Sequence, residues 1–308
     1  MKPVSRALLT RSLLLFLSVI SSASVLSAEP PVIGREQVNA TLWMQRAAEY
    51  RMSTLQVYRL ATERLATTIA APGSAALEQQ SVDPQRLVAL PTAIVVDLDE
   101  TVLDNSFYQA RRALSGGEYD EPSWQEWMRE SSAPAIAGAV EFLQAASRAG
   151  HKIFYVTNRE CRTIDAVPGD PCPARTATLR NLQALNLPNA AEPGALSLRR
   201  ERPEWESSDK TVRRKWIAET HRIVALVGDD LRDFVDRSIY DARAQELAPL
   251  LGTRWFIVPN SMYGSWERAI TGGACTAGMS AAECAAATTR KRYQALEPVP
   301  SAGTATSR

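Results

Sequence analysis

Four short apolar runs rich in Val and Ile, at 93–96, 152–156, 223–227 and 254–258, recur along the chain with stretches of helical periodicity between them. Runs this short, bounded by polar and turn residues, read as strands with little water around them. Residues 138–149, closed by Gly150, and residues 174–185 carry the intervening helical patterns. Strands that alternate with helices form a parallel sheet covered by those helices, so the fold class is α/β.

Residues 37–70 contain neither Gly nor Pro and place Leu42, Ala47, Tyr50, Met52, Leu55, Tyr58, Leu60 and Leu65 at spacings that suit one or two amphipathic helices. An N-terminal helical region is therefore expected over 35–72. Pro72, Gly73 and Pro84 mark 71–90 as a linker, and the polar end with Pro298, Pro300, Ser301 and Gly303 makes 285–308 an expected disordered tail. At the other end, Lys2 and Arg6 precede an apolar run at 12–20 and small residues at 21–28. That order is expected of a secretory signal peptide spanning 1–28; Ala28 is one candidate cleavage point, although Leu26 is large for its position, and the apolar run is too short for the ~20 residues that span a bilayer. The expected location is periplasmic or secreted.

Export makes disulfides available to Cys161, Cys172, Cys275 and Cys284, which allow three pairings. Zinc is disfavoured, because no Cys-x-x-Cys is present and neither histidine is near. The net charge is +1, from 35 basic and 34 acidic side chains, and there is no basic block of the kind that grips nucleic-acid backbones. Nucleic-acid polymers are thus not expected partners.

Working residues in open parallel sheets gather beyond the carboxyl ends of the strands. Asp97-Leu98-Asp99-Glu100-Thr101 follows the first strand and sets two carboxylates where the extended chain turns. Like charges so placed need a cation or a shared proton, and magnesium, which favours oxygen ligands, suits them. Thr157-Asn158-Arg159 follows the second strand with a hydroxyl and an amide that can donate to phosphoryl oxygens. Ser207-Ser208-Asp209-Lys210 opens a helical run toward Glu219, capped by Ser207 or Ser208, which sets Lys210 in a first turn facing an anion. After the third strand comes Gly228-Asp229-Asp230-Leu231-Arg232-Asp233-Phe234, in which a helix would put Asp229 and Asp233 on one face for one metal.

Each element alone is common in turns and helix starts; their order along one sheet carries the case. His151 and His221 both stand just before a strand, at the opposite edge. Phosphohistidine chemistry and Ser-His-Asp hydrolysis are therefore poorly supported.

These segments resemble the haloacid dehalogenase superfamily and, within it, the class C acid phosphatases of subfamily IIIB, bacterial secreted or lipid-anchored enzymes with four signature aspartates. Residues 95–108 match the first signature and 228–234 the second; 155–159, Asp209-Lys210 and the helix around Trp43 to Tyr58 also look like family motifs. The resemblance covers about 37–270. It implies a catalytic domain over 90–270 with a smaller, mainly helical cap inserted around 107–135. It implies Asp97 as nucleophile and metal ligand, and Asp99 as general acid and base that also binds metal through its backbone carbonyl. Asp229 would be a further metal ligand and Asp233 would support the metal, while Thr157, Asn158 and Lys210 would hold the phosphoryl group. Magnesium is the implied cofactor. The first cysteine being Cys161, no lipid anchor is expected. Asp230 stands where the family usually has Asn or Thr, and either adds a carboxylate near the metal or points away.

The implied reaction is hydrolysis of phosphomonoesters, nucleoside 5′-monophosphates and aryl phosphates among them, through an aspartyl-phosphate. Opposite protonation of Asp97 and Asp99 at the first step implies an acidic optimum. Trp124 and Tyr263 resemble family residues that stack on an aromatic leaving group, whereas Trp127 and Trp266 suit a core or dimer role equally well. Rival readings are a phosphate-binding or storage protein on the same fold and a phosphotransferase. By analogy, a homodimer would form through the N-terminal helices.

Overall fold

A computed structural model describes residues 34–67, 71–116, 119–162 and 165–297. The signal-peptide segment 1–28 and the end of the tail, 298–308, lie outside the described residues. Five strands, β1 (Thr92–Val96), β2 (Lys152–Glu160), β3 (Leu196–Arg199), β4 (Arg222–Gly228) and β5 (Trp255–Ile257), form one sheet in the order β3-β2-β1-β4-β5. Every pairing is parallel. From β1 the chain builds outward first through β2 and β3, then on the other side through β4 and β5. The order reverses between β1 and β4, where the connections diverge and open a crevice beyond the strands' carboxyl ends.

The side chains of β1 alternate between two cores. Ile94 and Val96 join Tyr155, Ala225 and Val227 in one; Ala93 and Val95 join Phe154, Leu226 and Trp255 in the other. Burial on both faces explains why these strands read as continuous apolar runs. Around the sheet lie α1 (Gly34–Arg46), α2 (Ala48–Leu65), α3 (Pro84–Ala89), α4 (Ser106–Ser115), α5 (Glu121–Glu130), α6 (Ala139–Arg148), α7 (Pro173–Ala184), α8 (Thr211–Ala218), α9 (Arg237–Leu247), α10 (Ser265–Thr271) and α11 (Ala281–Gln294). The insertion between β1 and α6 consists of α4 and α5. Among the described residues no helix is long and apolar enough to cross a membrane.

The N-terminal helices brace the site. Buried Tyr58 of α2 donates its hydroxyl to the Thr101 carbonyl at 2.6 Å, holding the turn that follows β1. Gly138 makes room for it: its φ of +94° suits glycine, and a Cβ there would lie 2.9 Å from Tyr58 Cβ.

Four sequence expectations change. Residues 71–90 are no linker: a 3₁₀ turn, Leu77–Gln79, and α3 form there, and Gln79, 1% exposed, bonds the Ile223 amide and the carbonyls of Ala218 and His221. A glutamine bonding on three sides of a strand's start anchors the segment to β4. The four-residue β3, with a Ser among its leucines, is too short to stand out by periodicity. β2 runs on to Glu160, so Thr157, Asn158 and Arg159 lie within the strand rather than after it. The tail does not begin at 285, because α11 continues to Gln294 from a capping box in which Ser280 and Glu283 satisfy each other's backbone amides.

Disulfides join Cys161 to Cys172 and Cys275 to Cys284, so neighbouring cysteines pair. The first clips the end of β2 to the start of α7, closing a loop beside Arg159. Removing it with C161S/C172S is expected to lower unfolding free energy by about 3 kcal/mol, chiefly by freeing the unfolded chain. Urea titration with an unchanged denaturant slope would check this; an undiminished midpoint would refute it.

Candidate active site

The last rung of the β1–β4 ladder is the Asp97 amide, donating to the Val227 carbonyl at 3.0 Å, so Asp97 emerges where the crevice opens. The chain then turns sharply: the Leu98 carbonyl accepts from Thr101, Val102 and Leu103, and Glu100 sits at φ +62°. That left-handed conformation costs a non-glycine residue about 1 kcal/mol.

Asp229 follows β4 directly. No helix starts there; a 3₁₀ turn, Leu231–Asp233, folds Asp233 back so that its Oδ2 accepts from the Asp230 amide at 3.0 Å. Gly228 permits this fold, since a Cβ at 228 would fall 2.2 Å from Asp233 Oδ2. Carboxylate oxygens of Asp97, Asp229 and Asp233 thereby come within 4.8 Å of one another.

Lys210, 3% exposed, reaches into this cluster and bonds Asp97 Oδ1 and, at 2.6 Å, Asp233 Oδ1. Its position needs a small correction: Lys210 precedes the first turn of α8 as N-cap, and Asp209 rather than Ser207 or Ser208 accepts the Thr211 amide. The Thr101 hydroxyl stands between Asp97 and Asp229, at 3.2 and 3.1 Å, and Asn260 donates to Asp229 at 2.8 Å.

Burial pushes the Asp97 carboxyl up to about 7; Lys210 opposes the rise, and Asp233 and Asp99 add to it. Asp229 is raised well above the carboxylate range by desolvation, then by Asp97 and Asp233. Desolvation works against the Lys210 ammonium, but Asp233 and Asp97 outweigh it and hold the pKa above the usual lysine value. Arg213, fully buried beside them, falls to about 10 through desolvation, partly offset by Asp97 and Asp233. Three carboxylates against one bonded ammonium leave negative charge in excess. An all-oxygen donor set with that excess fits a hard divalent cation.

Asp99 belongs to a different constellation. Arg159, 2% exposed, grips its carboxylate at 2.8 and 2.9 Å, and Asn105 and Thr157 donate to it at 2.9 and 3.0 Å. Asn105 in turn accepts from the Trp127 indole at 2.8 Å, which makes Trp127 a core residue. Thr157 and Asn158, expected as phosphate donors, already have protein partners. The Thr157 hydroxyl is committed to Asp99, and the Asn158 amide donates to the Ser208 carbonyl while its oxygen accepts from Arg213 at 2.6 Å.

Asp230 points away from the carboxylate cluster: it accepts from Arg232 at 3.0 and 3.1 Å and from the Ser265 amide. Burial would raise its pKa, but the bonds from Arg232 and Ser265 prevail and hold it at about 2. The role left open by the sequence is structural, tying the loop after β4 to α10.

The cleft over these groups has a volume of about 510 Å³, and Asp97, Asp99, Lys210, Asp229 and Asp233 all line it. Both Trp124 and Tyr263 line it; exposed Trp266 does not. Tyr108 stands edge-on to Trp124 with centroids 5.1 Å apart, and the Arg159 guanidinium lies 5.6 Å from the Trp124 ring. Sequence reasoning gave no role to Arg159, Arg213, Thr101, Asn105 or Asn260. Two had a usable signal: Asn260 follows the last strand, and Arg213 lies one helical turn beyond Lys210. The histidines take no part, His151 bonding the Thr92 hydroxyl at the far edge of the sheet.

The parallel sheet with its acidic crevice defines a protein of the haloacid dehalogenase type. Residues 21–266 match the family model described as haloacid dehalogenase superfamily, subfamily IIIB (acid phosphatase), and the chain belongs to that family. It is similar to the structure of the class C acid phosphatase from Bacillus anthracis, at 28% identity and TM-score 0.67, over 87% of this chain and 99% of that one. A tungstate-bound structure from the same organism matches at 27% identity, TM-score 0.67 and the same coverage. Curated relatives are more distant: stem 31 kDa glycoprotein of Glycine max, 24% identical over 55% of this chain, and acid phosphatase 1 of Solanum lycopersicum, 25% over 55%. The chain spans 58% and 57% of their lengths.

Proposed function

We propose that this protein is an exported, magnesium-dependent phosphomonoesterase in which Asp97 attacks phosphorus and is transiently phosphorylated. The observation that carries the reading is the convergence of Asp97, Asp229 and Asp233 at the reversal of strand order, with a buried Lys210 bonded to Asp97 and Asp233. Asp97, Asp229 and Asp233 would hold the magnesium, with Asp99 contributing its backbone carbonyl. When bound, the ion supplies charge neutralisation for the phosphate and its attacking carboxylate.

Lys210 favours the ionised form of Asp97 against the rise that burial causes, and would share its ammonium with the incoming phosphoryl oxygens. Thr157 and Asn158 would also donate to those oxygens, and Arg213 holds both by bonding the Thr157 carbonyl and the Asn158 side-chain oxygen. Asp99 would protonate the leaving alcohol, then take a proton from the water that cleaves the aspartyl-phosphate. Arg159, Asn105 and the Thr157 hydroxyl fix its carboxylate for that task. The direct test is phosphate release from a nucleoside 5′-monophosphate with and without magnesium. Release that is indifferent to the ion would overturn the metal assignment, and none under any condition would overturn the reaction.

Proton competition gives a second test. Metal binding needs all three carboxylates ionised, so affinity should weaken as pH falls through the raised Asp97 and Asp229 values. In the metal-free protein the sign is the opposite. A carboxyl whose folded pKa, about 7 for Asp97, exceeds the unfolded value of about 3.9 stabilises the fold at low pH, and that stability is lost as pH rises through the folded value. Magnesium is therefore expected to raise the melting temperature by about 5 °C near pH 8 and by less than half of that near pH 5. Equal shifts at both would contradict the linkage.

For the leaving group, the rings of Trp124 and Tyr263 on the cleft wall support stacking on a nucleobase or aryl ring, worth roughly 1–3 kcal/mol per base. Tyr263→Ala is expected to lower kcat/KM for nucleotides about tenfold relative to glycerol phosphate. An unchanged ratio would remove Tyr263 from substrate selection.

A further inference from the structure

The cleft that holds the carboxylate cluster also carries positive charge. Arg232, Arg199 and Arg268 all line it, and the first two bear on the charge of Arg268. Two of them are matched: Arg232 bonds Asp230 at 3.1 Å and the Ser208 hydroxyl at 3.1 Å, and Arg199 pairs with Glu160 at 2.5 Å. Arg268 has no hydrogen bond or ion pair from its guanidinium to any described residue. Glu267, beside it in sequence, is taken by Arg292 at 2.5 Å.

Its placement is enforced. Asp230 accepts the Ser265 amide at the start of α10, which pins that helix to the loop bearing Asp229 and Asp233. Gly264, at φ +159°, sets the entry angle where a Cβ would strike the Trp266 ring at 2.8 Å. One turn further on, Arg268 is presented to the cleft with Tyr263 before it. Desolvation at the cleft wall, then repulsion from Arg232 and Arg199, lowers its pKa, while Asp230 and Glu267 pull the other way. Arg268 is exposed on the same cleft lining as Arg232 and Arg199, so its unmatched guanidinium is open to an incoming anion, and bidentate phosphate is the ligand that its geometry fits best.

Resting on the phosphatase reading of the same cleft, we propose that Arg268, backed by Arg232 and Arg199, forms a subsite for a second phosphate on the leaving group. The substrates it favours are bisphosphorylated nucleotides over monophosphates: one phosphate enters the aspartate cluster, the base stacks near Tyr263, and the other phosphate meets Arg268.

The test separates binding from turnover. Adenosine 3′,5′-bisphosphate and adenosine 5′-monophosphate are titrated calorimetrically, with magnesium, into full-length Asp97→Asn protein, then into the same protein carrying R268Q or R268K. The bisphosphate is expected to bind about tenfold tighter than the monophosphate, the ratio falling to about one in R268Q and recovering in part in R268K. A ratio unchanged by R268Q, or no preference in the parent, would overturn the subsite. Matching thermal unfolding of the three proteins guards against misfolding. Failure of the phosphatase reading appears elsewhere, as native protein that releases no phosphate from the monophosphate.

Discussion

Asp97→Asn is expected to abolish phosphate release, lowering kcat at least about 10⁴-fold, the scale reached when a covalent catalyst loses its nucleophile. The substitution is nearly isosteric, and it removes one member of a crowded set of buried carboxylates. The fold should therefore survive, with metal-free stability near neutral pH rising, because Asp97 is held up to about 7 by burial and by Asp233 and Asp99 against the pull of Lys210. Acid quench of native protein with radiolabelled nucleotide should trap one phosphate per chain, and none in the variant. A variant that kept a tenth of the native rate would exclude Asp97 as the attacking atom's owner, and a trapped phosphate in it would move the nucleophile to another side chain.

The second large effect is on stability. Lys210→Met keeps the length of the side chain and deletes its charge, leaving Asp97 and Asp233 facing each other without the ammonium that bonds both. Breaking a buried ion pair from one side costs about 3–5 kcal/mol. Lys210 is 3% exposed, so solvent offers little relief. The loss should be largest in metal-free protein above neutral pH, where both carboxylates are charged. It should shrink as pH falls toward about 7, the value Asp97 has with Lys210 beside it, because without the ammonium the carboxyl takes up its proton at a higher pH. Urea unfolding in the presence of a chelator, at about pH 8 and about pH 5, reads the difference directly. A penalty independent of pH would mean that Lys210 matters for packing and not for charge. Magnesium should restore part of the loss, since it is drawn to the same excess negative charge.

Much of the site was legible because of where it lies in the chain. Asp97, Thr157, Asn158 and Asp229 stand at or just beyond the ends of apolar runs, and parallel strands deliver such residues to one edge whatever the details between them. The partnerships were not legible. Arg159 bonds Asp99 across 60 residues, Lys210 bonds Asp97 across 113, and Thr101 meets Asp229 across 128. No local periodicity encodes contacts at that range. The linker expected over 71–90 failed for the same reason: Pro72, Gly73 and Pro84 do break regular structure, but Gln79 finds its partners in β4 and the turn just before it, about 140 residues away.

Alone, the sequence determined the α/β class, the cores on either face of the sheet, the aspartates at the strand ends and the residues that match the family. Burying Ile94, Val95, Val96 and their counterparts is a property of apolar runs and their spacing, which are written residue by residue. Only the tertiary structure decided how the carboxylates divide. Asp97, Asp229 and Asp233 converge, with Lys210 bonding the first and last, Asp99 is claimed by Arg159, and Asp230 is turned aside to hold α10. That division follows from a left-handed Glu100, a Gly228 that leaves room for Asp233, and strand order reversing at β1. Electrostatic partners are chosen by distance in space, and space is set by the whole fold.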